Sequence, residues 1–386
     1  MAGRSTRLSD LRGLSRLGID AVTGVTDVVE AMHRNIAGLA PPLGRGREGP
    51  TGGITGLVYR SVRGVTRGVG AALDQALSLA APWLDQPHTG PVRDALVAAI
   101  NGSHGDHLEQ SGNPLAIPMQ LRRDGVSVHG RLDALADLGP RPLVLIHGLC
   151  MCDHQWLRQG HDHGAALARD LGYTPVYLHY NSGRSVQQNG QDLADLMESL
   201  LADWPVPLES LTLLGHSMGG LVARAACYSA RSRQLGWLAR CQALVTLGTP
   251  HQGAPAARAG SKLDWLLGLS PYSAPIGRVG QSRSLGIRDL HAGRCAPPRT
   301  PAAHTLPART LLLAGTRSAA LDAARLAGDG LVPVDSALGA HADPLRALTA
   351  DGRVHAGVGH FDLLNDARVY ADLRDWLRET DGRPLR

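Results

Sequence analysis

Among the 386 residues, the segment Leu211-Thr-Leu-Leu-Gly215-His216-Ser217-Met218-Gly219-Gly220 has the residue types and spacing best suited to chemistry. It is a Gly-x-Ser-x-Gly match set between a short apolar run and an alanine-rich stretch, which places the serine on a strand-to-helix turn. Such a turn is tight enough to strain its backbone. Glycines on both sides relieve the crowding and leave the Ser217 hydroxyl exposed above a sheet. The helix that begins there aims its unbonded N–H groups and positive dipole end at the same point. The N–H of Met218, directly after the serine, is therefore expected to stabilise negative charge building on a carbonyl oxygen. The implied chemistry is acyl transfer through an acyl-serine, provided that a base takes the hydroxyl proton and an acid orients that base. Seventeen histidines compete for the role of base. Cys150-Met151-Cys152 has neither the spacing nor the second ligand pair of a zinc site, and is expected to supply loop and packing thiols. Glycine-rich nucleotide fingerprints are absent, so no cofactor is expected.

The elements that must position these residues follow from the hydrophobic periods. Met119 to Val128 reads as a hairpin turned at Asp124-Gly125. Leu143 to Ile146, Pro175 to His179, Leu211 to Leu214, Ala243 to Leu247 and Thr310 to Ala314 read as buried strands, and Val354 to Val358 as a weaker one. Helical patterns cover 155–171, 185–203, 218–230 and Ala367 to Arg378. Continuous apolar strands alternating with helices imply a mostly parallel central sheet covered on both faces, with active groups at the carboxyl ends of the strands. Residues 1–100 differ. Apolar residues from Leu8 to Leu39 and from Ile54 to Ala80 recur every three or four positions, predicting two amphipathic helices joined by the Pro/Gly/Arg-rich stretch 41–53. The expected plan is a helical N-terminal region, 1–100, followed by a catalytic domain, 101–386. An insertion at about 254–305, containing Trp265, is either a cap over the nucleophile or extra helices on the domain side.

Four motifs in this order resemble the α/β-hydrolase superfamily, within it the lipase-like branch of bacterial lipases and PGAP1-like deacylases. They are His147-Gly148-Leu149, the Gly215 to Gly219 elbow, Gly248-Thr-Pro-His-Gln-Gly253, and Gly328-Asp-Gly-Leu-Val-Pro333 ahead of Gly359-His360-Phe361. The resemblance covers roughly residues 115–380 and implies the chain order serine, acid, histidine. His360 lies late in the chain, between a short apolar stretch and the helix-like Asp362-Leu-Leu-Asn, and is the expected base, with His355 the alternative. Asp329, between two glycines after the strand at 310–314, is the expected acid, with Asp322 and Asp335 as rivals. By resemblance the second oxyanion donor is the N–H of Leu149. His147 is expected to shape that loop, His154 and Trp156 to anchor the helix after it, and His251 to neighbour the elbow. Asp362 resembles a calcium ligand of some bacterial lipases, but no second aspartate stands where its partner would fall, so no metal is expected.

Composition bounds the remaining possibilities. The formal net charge is +5, no block of like charges occurs, and Lys262 is the only lysine, so no nucleic-acid surface is expected. Five scattered cysteines are too few for a disulfide framework in a chain of this length and point to a reducing compartment. Neither a secretory signal nor a membrane-spanning run is evident, so a cytoplasmic location is expected. Residues 1–100 either pack on the main domain or make peripheral contact with a lipid surface. The expected activity is hydrolysis of carboxylic esters with hydrophobic acyl groups. Its alternatives are an acyltransferase with the same residues, or a lipid- or granule-surface binding protein on the same fold. Oligomeric state is left open.

Overall fold

The computed structural model describes residues 90–128, 138–254, 284–297, 305–307, 309–319 and 328–381, together with 10, 12–20, 22–23, 60–64, 66, 132 and 300–301. The chain divides into two compact units, one of residues 1–90 with 108–116, the other of 91–107 with 117–386. In the first unit, the described residues among 10–23 and 60–66 are helical, as the apolar spacing predicts. Asn113 Nδ2 donates to the Gly13 carbonyl at 3.0 Å. Arg16 donates to that of Gly112 at 3.1 Å. The rest of the two predicted N-terminal helices and the loop at 41–53 lie outside the described residues, as do Trp265 and most of the insertion.

The second unit opens with helix α1, Pro91–Gln110, which bends at His104 (φ −133°, ψ 17°) and whose residues up to His107 belong to this unit. A boundary at residue 100 falls inside that helix. Strands β1 (Gln120–Arg123) and β2 (Val126–Ser127) form the predicted hairpin, turned at Asp124 and Gly125, both at positive φ. There follow β3 (Pro142–Ile146), α2 (His163–Leu171), β4 (Thr174–His179), α3 (Val186–Ala202), β5 (Leu211–His216), α4 (Met218–Arg233) and β6 (Cys241–Leu247). The chain continues with α5 (Leu285–Ala292), β7 (Arg309–Thr316), α6 (Val334–Ala337), β8 (Asp351–Ala356) and α7 (Ala367–Asp381).

These make one eight-stranded sheet in the order β2-β1-β4-β3-β5-β6-β7-β8. Strand β1 pairs antiparallel with β2 and with β4, while neighbours from β4 across to β8 pair parallel. The central strands β3 and β5 are buried along their whole length because both faces are covered. Val144 and Ile146 join a core with Leu193, Met197, Leu221 and Val222 from α3 and α4. Leu143 and Leu145, pointing the other way, join Leu167, Leu373 and Trp376 from α2 and α7.

Two predicted elements shift. The helix expected over 155–171 begins only at His163. A 3₁₀ turn spans Asp153–Trp156, and positive φ at Gln159 and Gly160 reverses the chain. Asp162 then caps α2, its Oδ1 accepting the N–H of Ala165 at 2.8 Å. The last strand sits at Asp351–Ala356, not 354–358, because Gly357 (φ 72°) turns the chain towards the site. Among the described residues, no helix is long and apolar enough to cross a membrane.

Candidate active site

Ser217 stands at the carboxyl end of β5 as the residue before α4, at φ 53° and ψ −122°, a conformation that costs a non-glycine residue roughly 1–3 kcal/mol. Three bonds hold it there. Its N–H donates to the Leu247 carbonyl at 2.8 Å, and its own carbonyl accepts from the Gly220 N–H at 3.2 Å and the Thr249 hydroxyl at 2.9 Å. The elbow also excludes side chains at its glycines: a Cβ on Gly219 would sit 2.0 Å from the Ile146 carbonyl oxygen. Thr249, from the Gly248 to Gly253 motif, thus braces the Ser217 turn directly. In the same motif, His251 is fully buried and takes an N–H from Arg224 at 3.1 Å on Nδ1, while Nε2 faces the Thr246 hydroxyl at 3.1 Å. Burial, then the neighbouring Arg224 charge, holds this imidazole far below its ordinary pKa, so it is neutral.

His360 and Asp329 meet in the loops after β8 and β7, with Nδ1 2.7 Å from Oδ2 and both side chains buried. The other carboxylate oxygen, Oδ1, accepts the N–H groups of Leu331 (2.9 Å) and Val332 (2.8 Å). This division leaves Oδ2 to the imidazole, so Nδ1 carries the proton and Nε2 is the basic nitrogen. Gly328 (φ 53°) and Gly330 (φ 101°) turn the loop back on itself. Gly248 lies against the pair, where a Cβ would come within 2.9 Å of Asp329 Oδ2 and 3.1 Å of His360 Nδ1.

The elbow and the Asp–His pair are joined through His216, the residue before Ser217. Its Nε2 donates to the His360 carbonyl at 3.1 Å, and the two rings lie 4.8 Å apart. Burial drives His216 well below the ordinary histidine pKa, which keeps it in this single neutral tautomer. Ser217 Oγ and His360 Nε2 are not hydrogen-bonded to one another among the described contacts. The rival base His355 sits on β8 with Nε2 3.4 Å from Asp372 of α7. Asp335 lies in the first turn of α6, with no hydrogen bond or ion pair to a histidine among the described residues, and Asp322 lies outside them.

The loop after β3 runs past the serine, since a Cβ on Gly148 would touch Ser217 Cβ at 3.1 Å. Neither the Leu149 N–H in this loop nor the Met218 N–H at the start of α4 is bonded to an acceptor among the described residues. His147 donates Nδ1–H to the Gly148 carbonyl at 2.8 Å and stacks on Tyr180 at 4.4 Å. Burial, partly offset by that hydrogen bond, lowers its pKa to about 3, so it is neutral and shapes the loop. Trp156 is buried edge-on to His216, 6.5 Å between centroids. His154 points instead to Asp94, at 3.5 Å.

Sequence reasoning missed the surroundings of that contact. Buried Asp94 (α1), Asp153 and His179 (β4) form a polar group with the partly buried Arg122 (β1) and His154. No local spacing signals it, because its members are separated by tens of residues. Among the described residues, Asp94, Asp153 and His154 are also the side chains close enough together to hold a cation, their ligand atoms all within 4.8 Å of one another. Arg122 Nη1 already lies between the two carboxylates, 2.8 Å from one and 3.3 Å from the other. Asp362 caps its own turn, accepting the Gly359 N–H at 3.1 Å. The five cysteines are free and buried.

Residues 137–270 match the family model described as the PGAP1-like alpha/beta domain. No curated protein matches the chain. Solved structures similar to it include the mature lipase BlEst2 of Bacillus licheniformis, at 18% identity over 62% of this chain and 91% of that one, with a TM-score of 0.43. A putative aryl esterase of Burkholderia cenocepacia is 18% identical over 69% of this chain and 95% of its own, TM-score 0.43. An esterase of Thermogutta terrifontis is 17% identical over 62% and 90%, TM-score 0.39. The chain has an α/β-hydrolase fold, with a PGAP1-like segment that carries the loop of Leu149 and the elbow of Ser217.

Proposed function

We propose that the protein is a serine carboxylic-ester hydrolase. The observation that carries this reading is the strained Ser217 turn tied, through the His216 bond to the His360 carbonyl, to a buried His360–Asp329 pair of fixed tautomer. In the reaction, Ser217 Oγ attacks the acyl carbonyl carbon while His360 Nε2 takes its proton. Asp329 keeps Nδ1 protonated and stabilises the imidazolium. The N–H groups of Met218 and Leu149 receive the oxyanion, a contribution on the order of 10²–10³ in rate per donor in such sites. His360 then protonates the departing alkoxide, and water activated by the same nitrogen releases the acyl group and frees the serine.

A hydrophobic acyl group is the substrate class this reading favours, on the lipase-like motifs at 147–149 and 215–219 and the amphipathic pattern of residues 1–100. Peripheral contact with lipid through residues 1–100 belongs to the same reading. Incubation with a fluorophosphonate probe tests it: labelling mapped to Ser217, with hydrolysis of p-nitrophenyl butyrate that Ser217→Ala abolishes, is expected. A chain that hydrolyses the ester but carries the label elsewhere would refute the assignment.

A further inference from the structure

We propose that Asp94, Arg122 and Asp153 form a buried ionic clasp that sets the loop Gly148–Cys152 in its oxyanion-binding conformation, making α1 part of the positioning apparatus; this rests on Leu149 as an oxyanion donor. Asp153 follows that loop directly and opens the 3₁₀ turn, so where its carboxylate is held decides where the loop ends. Arg122 Nη1, on β1 between β2 and β4, reaches Asp153 Oδ1 at 3.3 Å and Asp94 Oδ2 at 2.8 Å. His179 Nδ1 lies 3.1 Å from Asp153, and His154 Nε2 lies 3.5 Å from Asp94. Burial by itself would push both carboxyls up. His154, Arg122 and His179 outweigh it at Asp94, and His179 with Arg122 outweigh it at Asp153, so both stay ionised.

The loop needs such holding. Cys150, next to Leu149, has φ 60°, an unfavourable conformation for a residue other than glycine. It is fixed from two further directions. Ser182 Oγ accepts its N–H at 3.0 Å, and α1 presses on its backbone at Gly102, where a Cβ would lie 2.8 Å from both N and Cα of Cys150. A buried ion pair adds little net stability when compared with apolar replacements, so what the clasp supplies is geometry. Residues of α1, β1 and the turn are thereby positioning residues for a reaction in which none touches the substrate.

The test uses the full chain with Asp94→Asn and, as the conservative partner, Arg122→Lys. Two readouts are taken: kcat and KM for p-nitrophenyl butyrate, and hydrogen exchange of the amides at 149–152 against those at 329–332. Asp94→Asn is expected to lower kcat on the order of 10- to 100-fold with KM within about threefold, since a misplaced donor forfeits part of what a deleted one does. The loop amides should exchange faster and those at 329–332 should not. Arg122→Lys, which keeps the positive charge between the two carboxylates, should retain most of the wild-type kcat and of the slow loop exchange. Should Asp94→Asn fail to fold, Arg122→Gln replaces it with the same two expectations. Unchanged kcat with unchanged loop exchange would overturn the clasp. So would stoichiometric Zn²⁺ in the wild type whose removal by chelator reproduces the Asp94→Asn phenotype, because a metal would then hold the carboxylates instead of Arg122. If the wild type neither hydrolyses ester nor labels at Ser217, the hydrolase reading fails, and exchange at 149–152 still decides the clasp.

Discussion

Two loops flank Ser217, and they are held by opposite means. The loop of Asp329 is held mostly by its own bonds: Asp329 accepts two N–H groups from residues two and three positions on and donates its own N–H to the Val332 carbonyl at 3.2 Å, while from outside the N–H groups of Arg317 and His360 donate to the carbonyls of Gly328 (2.8 Å) and Asp329 (3.0 Å). Glycines at 328 and 330 provide its turns. The loop after β3 is held from afar, by Ser182 from beyond β4, by α1 at Gly102, and by Asp94 and Arg122 at sequence separations of 59 and 31 from Asp153. A locally closed loop keeps its geometry under mutation elsewhere in the domain. A loop braced at a distance passes disturbances of its braces on to the Leu149 N–H it carries, so the two sides of Ser217 should respond differently to substitution.

The largest expected effects fall where no substitute group exists. Ser217→Ala should lower ester turnover by on the order of 10⁴ or more with the melting temperature unchanged, and His360→Ala by on the order of 10³ or more. His355→Ala, whose partner is Asp372, should leave kcat within a few-fold; an inactive His355→Ala beside an active His360→Ala would reverse the assignment of the base. Asp329→Asn comes next. It keeps the accepting oxygen for Leu331 and Val332 but turns an N–H donor towards His360, and should cost on the order of 10³–10⁴ in kcat while amide exchange at 331–332 stays slow. Accelerated exchange there would show that the acid loop depends on charge and not on its own hydrogen bonds.

The same contrast separates what could be read in the sequence from what could not. The elbow was legible because strain, flanking glycines and an apolar strand lie within ten consecutive residues. Gly328-Asp329-Gly330 and Gly359-His360 were legible for the same reason: each encodes its turn in adjacent residues. Strands β3 to β7 followed from continuous apolar runs, which only a sheet covered on both faces requires. Helix α1 was not anticipated. Its apolar residues are interrupted by Asn101, Gly102, Ser103 and Gly105, which suit close packing against Cys150 and Asn181 and blur the helical period. The group at Asp94, Arg122, Asp153 and His179 was equally hidden, because pairing of charges across three elements leaves no spacing to recognise. The late start of α2 followed from a capping aspartate at 162 that the apolar pattern alone passes over.

The smallest predicted effect concerns acid stability and again compares the two sides of the site. His163, at the start of α2, is fully buried and donates Nε2–H to the carbonyl of Leu363, three residues beyond His360, while its Nδ1 accepts from His161 at 2.9 Å. Burial is the main cause lowering its pKa to about 4, with the Leu363 bond opposing and His161 reinforcing the shift. An unfolded histidine titrates near 6.5, so between pH ~6.5 and ~4 the unfolded chain binds a proton that the folded chain refuses. The contribution is therefore complete above pH ~6.5 and is lost as pH falls towards 4, by at most about 3 kcal/mol at a limiting slope of about 1.4 kcal/mol per pH unit. His147, lowered to about 3, adds a loss of the same sign in the loop after β3. Chemical denaturation between pH 7 and 4.5 should show stability falling in the wild type and falling less steeply in His163→Gln, which keeps a donor towards Leu363 but cannot titrate. Protection factors at 360–364, that is exchange corrected for the intrinsic pH dependence of amides, should fall with acid more in the wild type than in His163→Gln. Equal slopes in the two proteins would mean that His163 reaches water before global unfolding, and that the turn following His360 is braced by the core of α7 instead.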